Sequence, residues 1–227
     1  MSLLPTDIWN PIILSLEIAS ISLIIVFIFG ILFGRLLSLK TFKGKVFLET
    51  FLMLPIVLPP TVIGFLLICF FGRNSPVGIL IDFVFHQSIM FTFWAAVLAS
   101  TIVAFPLMYQ TVKVGFHSVE KEIEEAARVD GADERKVFLF ITLPLSFQSI
   151  LTGLILSFAR ALGEFGATFM FAGNIPGKTQ TAPIAIYVAM ESGKMTLAWV
   201  FVISMILISF LMLFITNIFA KTKAMKG

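Results

Sequence analysis

Long apolar runs dominate this chain of 227 residues and restrict the folds open to it. A helix needs roughly 20 mainly apolar residues to cross the hydrocarbon core of a bilayer. Five runs approach or exceed that length, and they cover residues 12–33, 46–71, 89–108, 145–162 with a less regular continuation to 172, and 197–220. The sequence therefore predicts an all-α, polytopic transmembrane bundle of about five membrane helices, forming one domain over residues 1–227.

Two shorter apolar pieces, residues 77–85 and 182–190, are too brief to cross a bilayer. We expect them to be interfacial or re-entrant helices, and one of them would make a sixth crossing by joining a neighbour. The composition agrees with a membrane protein. Charged residues make up 13% of the chain, about half of what a soluble surface requires. A single cysteine, Cys69, excludes a disulfide within the chain.

Lysine and arginine residues concentrate in alternate loops. Twelve of them follow the first, third and last apolar runs, whereas the loops between hold three. The twelve are Arg35, Lys40, Lys43, Lys45, Lys113, Lys121, Arg128, Arg135, Lys136, Lys221, Lys223 and Lys226. Five crossings place these segments on one side, and cytoplasmic loops carry the excess of positive charge. The sequence therefore predicts a multi-pass protein of the cell membrane, with the N-terminus outside and the C-terminus in the cytoplasm.

One of these loops, residues 116–144, is rich in both charge signs and in helix-forming residues, and we call it the elbow. Ser118 is predicted to cap a first short helix, and Gly131 to end it in the left-handed conformation. Asp133 is predicted to cap a second helical turn, and Pro144 lies where the next membrane helix is expected to begin. A solvated connector between two crossings is an equally good interpretation of this composition.

The elbow also carries a spaced motif. Glu125-Ala126-Ala127, three residues, Gly131, nine residues and then Ile141-x-Leu143-Pro144 resembles the EAA loop of binding-protein-dependent ABC importer permeases. The resemblance implies an ABC importer permease fold in which the elbow is a coupling helix that docks into a separate ATPase subunit. The ATPase-coupling residues that it implies are Glu125, Ala126, Ala127, Arg128, Gly131, Ala132, Ile141, Leu143 and Pro144.

Two further stretches narrow the resemblance. Residues 54–64, which include Pro59-Pro60, resemble the second-helix signature of molybdate and tungstate permeases. Residues 159–168 and 172–181 resemble a segment shared by molybdate, tungstate and sulfate permeases. This implies an oxyanion importer, with molybdate or tungstate favoured by the double-proline stretch and sulfate or thiosulfate as the alternative.

Residues that interrupt the apolar runs are the candidates for a translocation path or gate. Pro59 and Pro60 are predicted to break a helix, which either lines a path or merely shapes packing. Arg160 and Glu164, one helical turn apart near membrane depth, are predicted to form an ion pair, whereas the alternative is that Arg160 faces the path and attracts an anion. The full candidate set is Pro59, Pro60, Thr61, Arg160, Glu164, Phe165 and Gly166.

The sequence contains no G-x4-GK[ST] phosphate-binding loop, so we expect no enzyme activity and no cofactor in this chain, with ATP and Mg²⁺ held by the partner ATPase. An ATP-independent secondary transporter or channel is the competing class. It would need an embedded proton or sodium relay, and the charged residues expected at membrane depth are Glu17, Arg160 and Glu164.

About five helices barely enclose a passage, so the expected partner in the membrane is a second copy of the chain. The resemblance adds two ABC ATPase subunits on the cytoplasmic side and an extracytoplasmic oxyanion-binding protein. Transport would proceed by alternating access, driven by ATP through the elbow. Lipid is the remaining partner, and no nucleic acid is expected.

Overall fold

A computed structural model describes residues 5–39 and 42–224, and within these ranges it consists of helices joined by short loops, without a strand. It confirms the predicted all-α class. The helices are α1 (Pro5–Leu39), α2 (Lys45–Val57), α3 (Pro60–Phe71), α4 (Pro76–Phe85), α5 (Phe93–His117), α6 (Lys121–Val129), α7 (Glu134–Val137), α8 (Leu143–Leu145), α9 (Phe147–Leu162), α10 (Gly166–Ala172), α11 (Ala182–Glu191) and α12 (Met195–Ala224), with a π-helical turn at Phe138–Thr142. Lys40, Lys226 and the side chains of Lys221 and Lys223, used above for orientation, lie outside the described residues.

Helices α1 and α5 lie side by side and run in the same direction. Near their starts, the Ser22 hydroxyl donates to the Val97 carbonyl at 3.0 Å. Near their ends, a Cβ added to Gly34 would lie 2.7 Å from Val112, so the absence of a side chain lets the two backbones approach closely. Because both helices run the same way, the chain between them must return to its starting end. We call the end that holds the C-termini of α1 and α5 the elbow end, and the opposite one the far end.

Helices α2 and α3 make that return as one broken span. They meet at a bend of 119°. At the elbow end, Glu49 of α2 pairs with Lys113 at 2.9 Å and accepts a hydrogen bond from Tyr109 at 3.2 Å, both near the C-terminus of α5. At the far end, Ile63 and Leu67 of α3 join a buried cluster with the start of α5. The pair therefore crosses the bundle rather than forming a re-entrant loop.

The fourth span runs antiparallel to α5 and is also broken. The Ser146 hydroxyl donates to the Gly115 carbonyl at 2.9 Å at the elbow end, and the Ser157 hydroxyl donates to Ala104 at 3.4 Å in mid-span. After the break that follows α9, α10 continues to the far end, where the Phe171 carbonyl accepts from the Phe91 amide at 3.3 Å.

The last span, α12, runs beside α1 from the far end, because Phe201 clusters with Ile12 and Ala182 before Met205 reaches the central core. Three helices are long and apolar enough to cross a membrane alone, and two bent pairs, α2 with α3 and residues 134–145 with α9, bring the number to as many as five. The contacts place the two ends of α2–α3 at opposite ends of the bundle, whereas the second bent pair bends by 67° near Ser146 at the elbow end and reaches the far end through α10. The short helices α4 and α11 lie at the far end and complete no sixth crossing.

The bounds of the third span differ from those of its apolar run. It begins at Phe93 rather than at residue 89, because the Thr92 hydroxyl accepts the Ala95 amide at 3.3 Å as an N-cap and Phe91 has a φ of 59°. It continues nine residues past the predicted end at residue 108, to His117, with Pro106 inside it. The helix is longer than the apolar run because hydropathy falls after residue 108, whereas the hydrogen-bonded helix itself goes on.

Candidate functional sites: an exposed elbow and two facing helix breaks

The first short helix of the elbow, α6, begins later than the sequence predicted. Ser118 does not cap it, because α5 runs on to His117 and the Ser118 hydroxyl donates back to the Gly115 carbonyl at 2.8 Å. Glu120 takes the N-cap position instead. Glu122 and Glu124 lie in the first turn, where the helix dipole favours negative charge.

The turn between the two elbow helices has the predicted chemistry. Gly131 has a φ of 87°, in the left-handed region, and a Cβ there would meet nothing within 4 Å. Glycine is therefore favoured here by the left-handed backbone conformation, and not by a lack of space for a side chain. Asp133 caps α7, since its Oδ1 accepts the Lys136 amide at 2.9 Å. Both predicted features are confirmed.

The outer surface of α6 is uncovered. No residue of α6 is buried, and Ile123, Ala126 and Val129 form an exposed apolar row at intervals of three. Val129 is 87% exposed. Ala127, one of the predicted coupling residues, lies outside this row and is partly covered. A spacing of three residues, continued from Ile123 and Ala126, identifies Val129 as the next member of the row. An apolar row on a short, charged, exposed helix is typical of a surface that docks to another protein.

Ion pairs fix the shape of the elbow. Arg128 donates to Glu134 at 2.6 Å and to Glu124 at 3.4 Å, so it bridges α6 and α7. The Glu134 carboxylate, which accepts from Arg128, raises the pKa of the guanidinium above its usual value. Exposed pairs of this kind contribute little stability. Their effect is to hold the two short helices at one angle.

The elbow is joined to the fourth span through the second half of the motif. The buried Thr142 donates to Glu124 Oε1 at 2.6 Å. Thr142 ends the π-helical turn, in which the Leu143 amide bonds to the Phe138 carbonyl five residues back. Of the other predicted coupling residues, Ala132, Ile141 and Leu143 are partly buried, whereas Glu125 and Pro144 are exposed.

The first helix break lies at the double proline, as predicted. α2 ends at Val57 and α3 begins at Pro60, the first helical position, where a missing N–H costs least. Pro59 and Thr61 are exposed on the surface of the chain, and Pro60 is partly buried. Because proline also prevents the preceding residues from continuing the helix, the sharp bend follows from the sequence itself.

The second break lies between Leu162 and Gly166, and the predicted ion pair is present there. Arg160 Nη1 lies 2.7 Å from Glu164 Oε2. The other carboxylate oxygen, Oε1, accepts the Ala167 amide at 2.8 Å and so caps α10. The Glu164 side chain is buried, whereas one third of Arg160 remains exposed. The Glu164 carboxylate thus neutralises Arg160 and also accepts a hydrogen bond from the first turn of α10.

The two breaks face each other. A Cβ added to Gly166 would lie 3.0 Å from Pro60 Cβ and 3.5 Å from the Thr61 amide nitrogen. The Phe165 ring stacks on Phe169 with 5.5 Å between centroids. The structure therefore brings Pro60, Thr61 and Gly166 of the predicted gate set together, although their segments are separated by about a hundred residues of sequence.

Comparisons with known proteins agree with this architecture. Residues 9–224 match the family model described as binding-protein-dependent transport system inner membrane component. YvgM of Bacillus subtilis (strain 168), named as a permease protein of a molybdenum transport system, is 56% identical over 219 residues, which cover 94% of this chain and 96% of YvgM. The molybdenum transport system permease protein ModB of Escherichia coli (strain K12) is 42% identical over 184 residues, 81% of this chain and 80% of ModB.

A solved structure shows the same fold at low identity. A chain of the MetNI methionine ABC transporter, solved in inward-facing conformations, superposes with a TM-score of 0.72 at 14% identity, over 95% of both chains. That likeness concerns the fold alone. The family match, by contrast, extends over nearly the whole chain and includes both breaks and the elbow. This chain belongs to the family of binding-protein-dependent transport system inner membrane components.

Proposed function

We propose that this chain is the transmembrane permease subunit of an ATP-driven ABC importer that carries molybdate, or the closely similar tungstate, across the cytoplasmic membrane. The observation that carries the proposal is the elbow, a charged pair of helices that exposes an apolar row at one end of a five-span bundle. A multi-pass membrane protein needs no such surface unless another protein binds there. Two relatives named for molybdenum transport support the substrate.

In this proposal α6 docks into a groove on a separate ATPase subunit. The small side chain of Ala126 permits close approach, while Ile123 and Val129 supply the apolar contact. Glu125 and Arg128 lie beside this row and set the register of docking through charge. ATP and Mg²⁺ bind to the ATPase, and the permease converts the movement of that subunit into a change of its own helices.

Two copies of the chain form the path. Helix α2 has no buried residue, and Phe47 and Val57 are 78% and 80% exposed. Lipid accommodates such a surface, but five spans are too few to enclose a passage alone. A second copy supplies the missing wall and a second elbow, so the assembly takes two ATPase subunits. The elbow end faces the cytoplasm, and an extracytoplasmic oxyanion-binding protein docks at the far end.

The facing breaks are the proposed gate. Broken helices at membrane depth occur beside protein or a water-filled path, because their freed backbone groups need partners. Pro60 and Thr61 lie against the start of α10, so a change in either bend alters the other. The Arg160–Glu164 pair braces the second break. A purely structural kink would keep these contacts without any change during transport.

Reconstitution tests the substrate and the energy source together. The assay uses proteoliposomes that contain this chain and its ATPase, with a molybdate-loaded binding protein on the side of the membrane opposite the ATPase. Molybdate should cross to the ATPase side only when ATP is present on that side. Excess tungstate should compete, and sulfate should not. Uptake without ATP would favour the secondary-transporter class. Competition by sulfate at the same concentration as tungstate would favour the sulfate alternative.

A further inference from the structure

A single arginine outside the motif connects the elbow to the first span. Arg35 lies in the last turns of α1, 99 residues before its hydrogen-bond partner. Its Nη2 donates to the backbone carbonyl of Glu134 at 3.2 Å. The centre of the same guanidinium lies 3.8 Å from the centroid of the Phe138 ring. Arg35 therefore holds both ends of α7 at once, by hydrogen bonding at the start and by stacking just beyond the end.

The aromatic contact extends to a second span. Phe138 begins the π-helical turn that leads into the fourth span. Its ring meets Phe116, near the C-terminus of α5, edge to face with 5.6 Å between centroids. Arg35, Phe138 and Phe116 thus join α1, the start of the fourth span and α5 at the elbow end. π-Helical turns are frequent at functional sites, because the wider turn redirects the side chains that follow.

Helix α6 is connected to Arg35 through Glu134. The Glu134 side chain accepts from Arg128 of α6, while its backbone carbonyl accepts from Arg35 of α1. A second connection runs from Glu124 of α6 to Thr142 of the fourth span. A displacement of α6 therefore has two routes of hydrogen bonds into the bundle. One leads to the fourth span and the other leads, through Arg35, to the first.

We propose that Arg35 is a positioning residue of the coupling machinery, which fixes the elbow to α1 so that movement of the docked α6 reaches the first span. This inference rests on the proposed function, since it requires an ATPase at α6. Arginine suits the role because its planar guanidinium stacks on an aromatic ring and donates to a carbonyl simultaneously. A lysine in the same place can donate or lie over the ring, but it cannot do both in this geometry.

The experiment compares Arg35→Gln and Arg35→Lys with Arg135→Gln in the full complex of permease, ATPase and loaded binding protein. Arg135 is a matched control, because its side chain is exposed on α7 and the substitution removes the same charge at the same end of the bundle. The measured quantity is molybdate taken up per ATP hydrolysed, normalised to assembled complex. We expect a loss of about tenfold for Arg35→Gln, a smaller loss for Arg35→Lys and none for the control.

A second variant separates the stacking contact from a general effect on folding. Phe138→Leu keeps an apolar side chain but removes the ring, and it should lower uptake per ATP in the same direction. In the double variant Arg35→Gln/Phe138→Leu, the loss should be no greater than for Arg35→Gln alone, because both changes remove one connection. Fully additive losses would show two unrelated roles and would overturn the inference.

Two further outcomes also test the positioning role of Arg35. If Arg35→Gln lowers total uptake only in proportion to the amount of complex assembled, the residue is merely structural and the inference is wrong. If Arg35→Gln does not accumulate in the membrane, Arg35→Lys decides, and an unchanged uptake per ATP in that variant overturns the inference. Failure of the proposed function is recognised separately, because the unaltered chain would then show no ATP-driven uptake.

Discussion

Two Glu–Arg pairs in this protein have the same spacing along the chain, but their carboxylates differ in burial, since 20% of the Glu124 side chain is exposed and 1% of the Glu164 side chain. Glu124 and Arg128 lie on the exposed α6, with 3.4 Å between Oε2 and Nη2. Arg160 and Glu164 lie at the second helix break, with 2.7 Å between Nη1 and Oε2 and a Glu164 side chain that is 1% exposed. Spacing of four residues predicts contact in both places. The surroundings decide whether the pair shapes a surface or holds a helix break together.

The largest effect is expected from Glu164→Gln. Glutamine keeps the size of the side chain but leaves Arg160 without a counter-ion, and its one carbonyl oxygen cannot serve both Arg160 and the Ala167 amide. We expect a loss of about 2–3 kcal/mol, less than for a fully buried pair because Arg160 is one third exposed. The thermal unfolding midpoint of the detergent-purified protein should fall by about 4–12 °C. An unchanged midpoint would contradict a bracing role.

An intermediate effect is expected when both charges are removed. The double variant Arg160→Gln/Glu164→Gln leaves no unpaired ion at membrane depth, so it should be more stable than Glu164→Gln alone. The same thermal measurement checks this. If the double variant is as unstable as the single one, the contribution of Glu164 comes from capping α10 and not from its charge.

The smallest effect is expected from Glu124→Gln on the elbow. Arg128 keeps Glu134 as its partner, and glutamine still accepts from Thr142. The free energy of unfolding should change by less than about 1 kcal/mol, as for other exposed pairs. The matched control is Glu164→Gln under the same conditions. Equal shifts of the two unfolding midpoints would contradict the claim that the Glu164 pair contributes more to stability than the Glu124 pair.

The sequence predicted the long apolar helices and the break at Pro59-Pro60 because these depend on local chemistry. Apolar run length determines which segments cross the membrane, and Pro59-Pro60 breaks a helix whatever its neighbours are. Gly131 and Asp133 were also predictable, since the left-handed turn and the N-cap need those residue types at those places. The Arg160–Glu164 pair followed from helical spacing alone.

Contacts between distant parts of the chain were not predictable in this way. Arg35 entered the sequence analysis as one of twelve positive charges, and nothing near it indicates a partner 99 residues away. The facing of Pro60 and Gly166 likewise depends on how four spans pack. Ser118 was misassigned because a serine caps either neighbouring helix equally well by sequence, and the outcome depends on where α5 ends.

Hydropathy also fails to separate the central helices from the peripheral ones. Thirteen residues of α5 are buried and none of α2, although both are apolar. Small residues make the difference, because Gly30, Gly34 and Gly153 lie where any side chain would collide with Met108, Thr111 or Val112. Close approach to α5, rather than apolar character, determines which helices form the centre of the bundle.

The central claim is that the exposed apolar row of α6 binds an ATPase subunit, and site-specific cross-linking at this row tests it most directly. In a Cys69→Ser background, Ala126→Cys on the exposed face of α6 should cross-link to the ATPase subunit of the reconstituted transporter, whereas Asn174→Cys, exposed at the far end, should not. A cross-linked product at residue 126 alone is the predicted result. No product at residue 126, or equal products at both positions, would contradict the assignment of the elbow as the coupling surface.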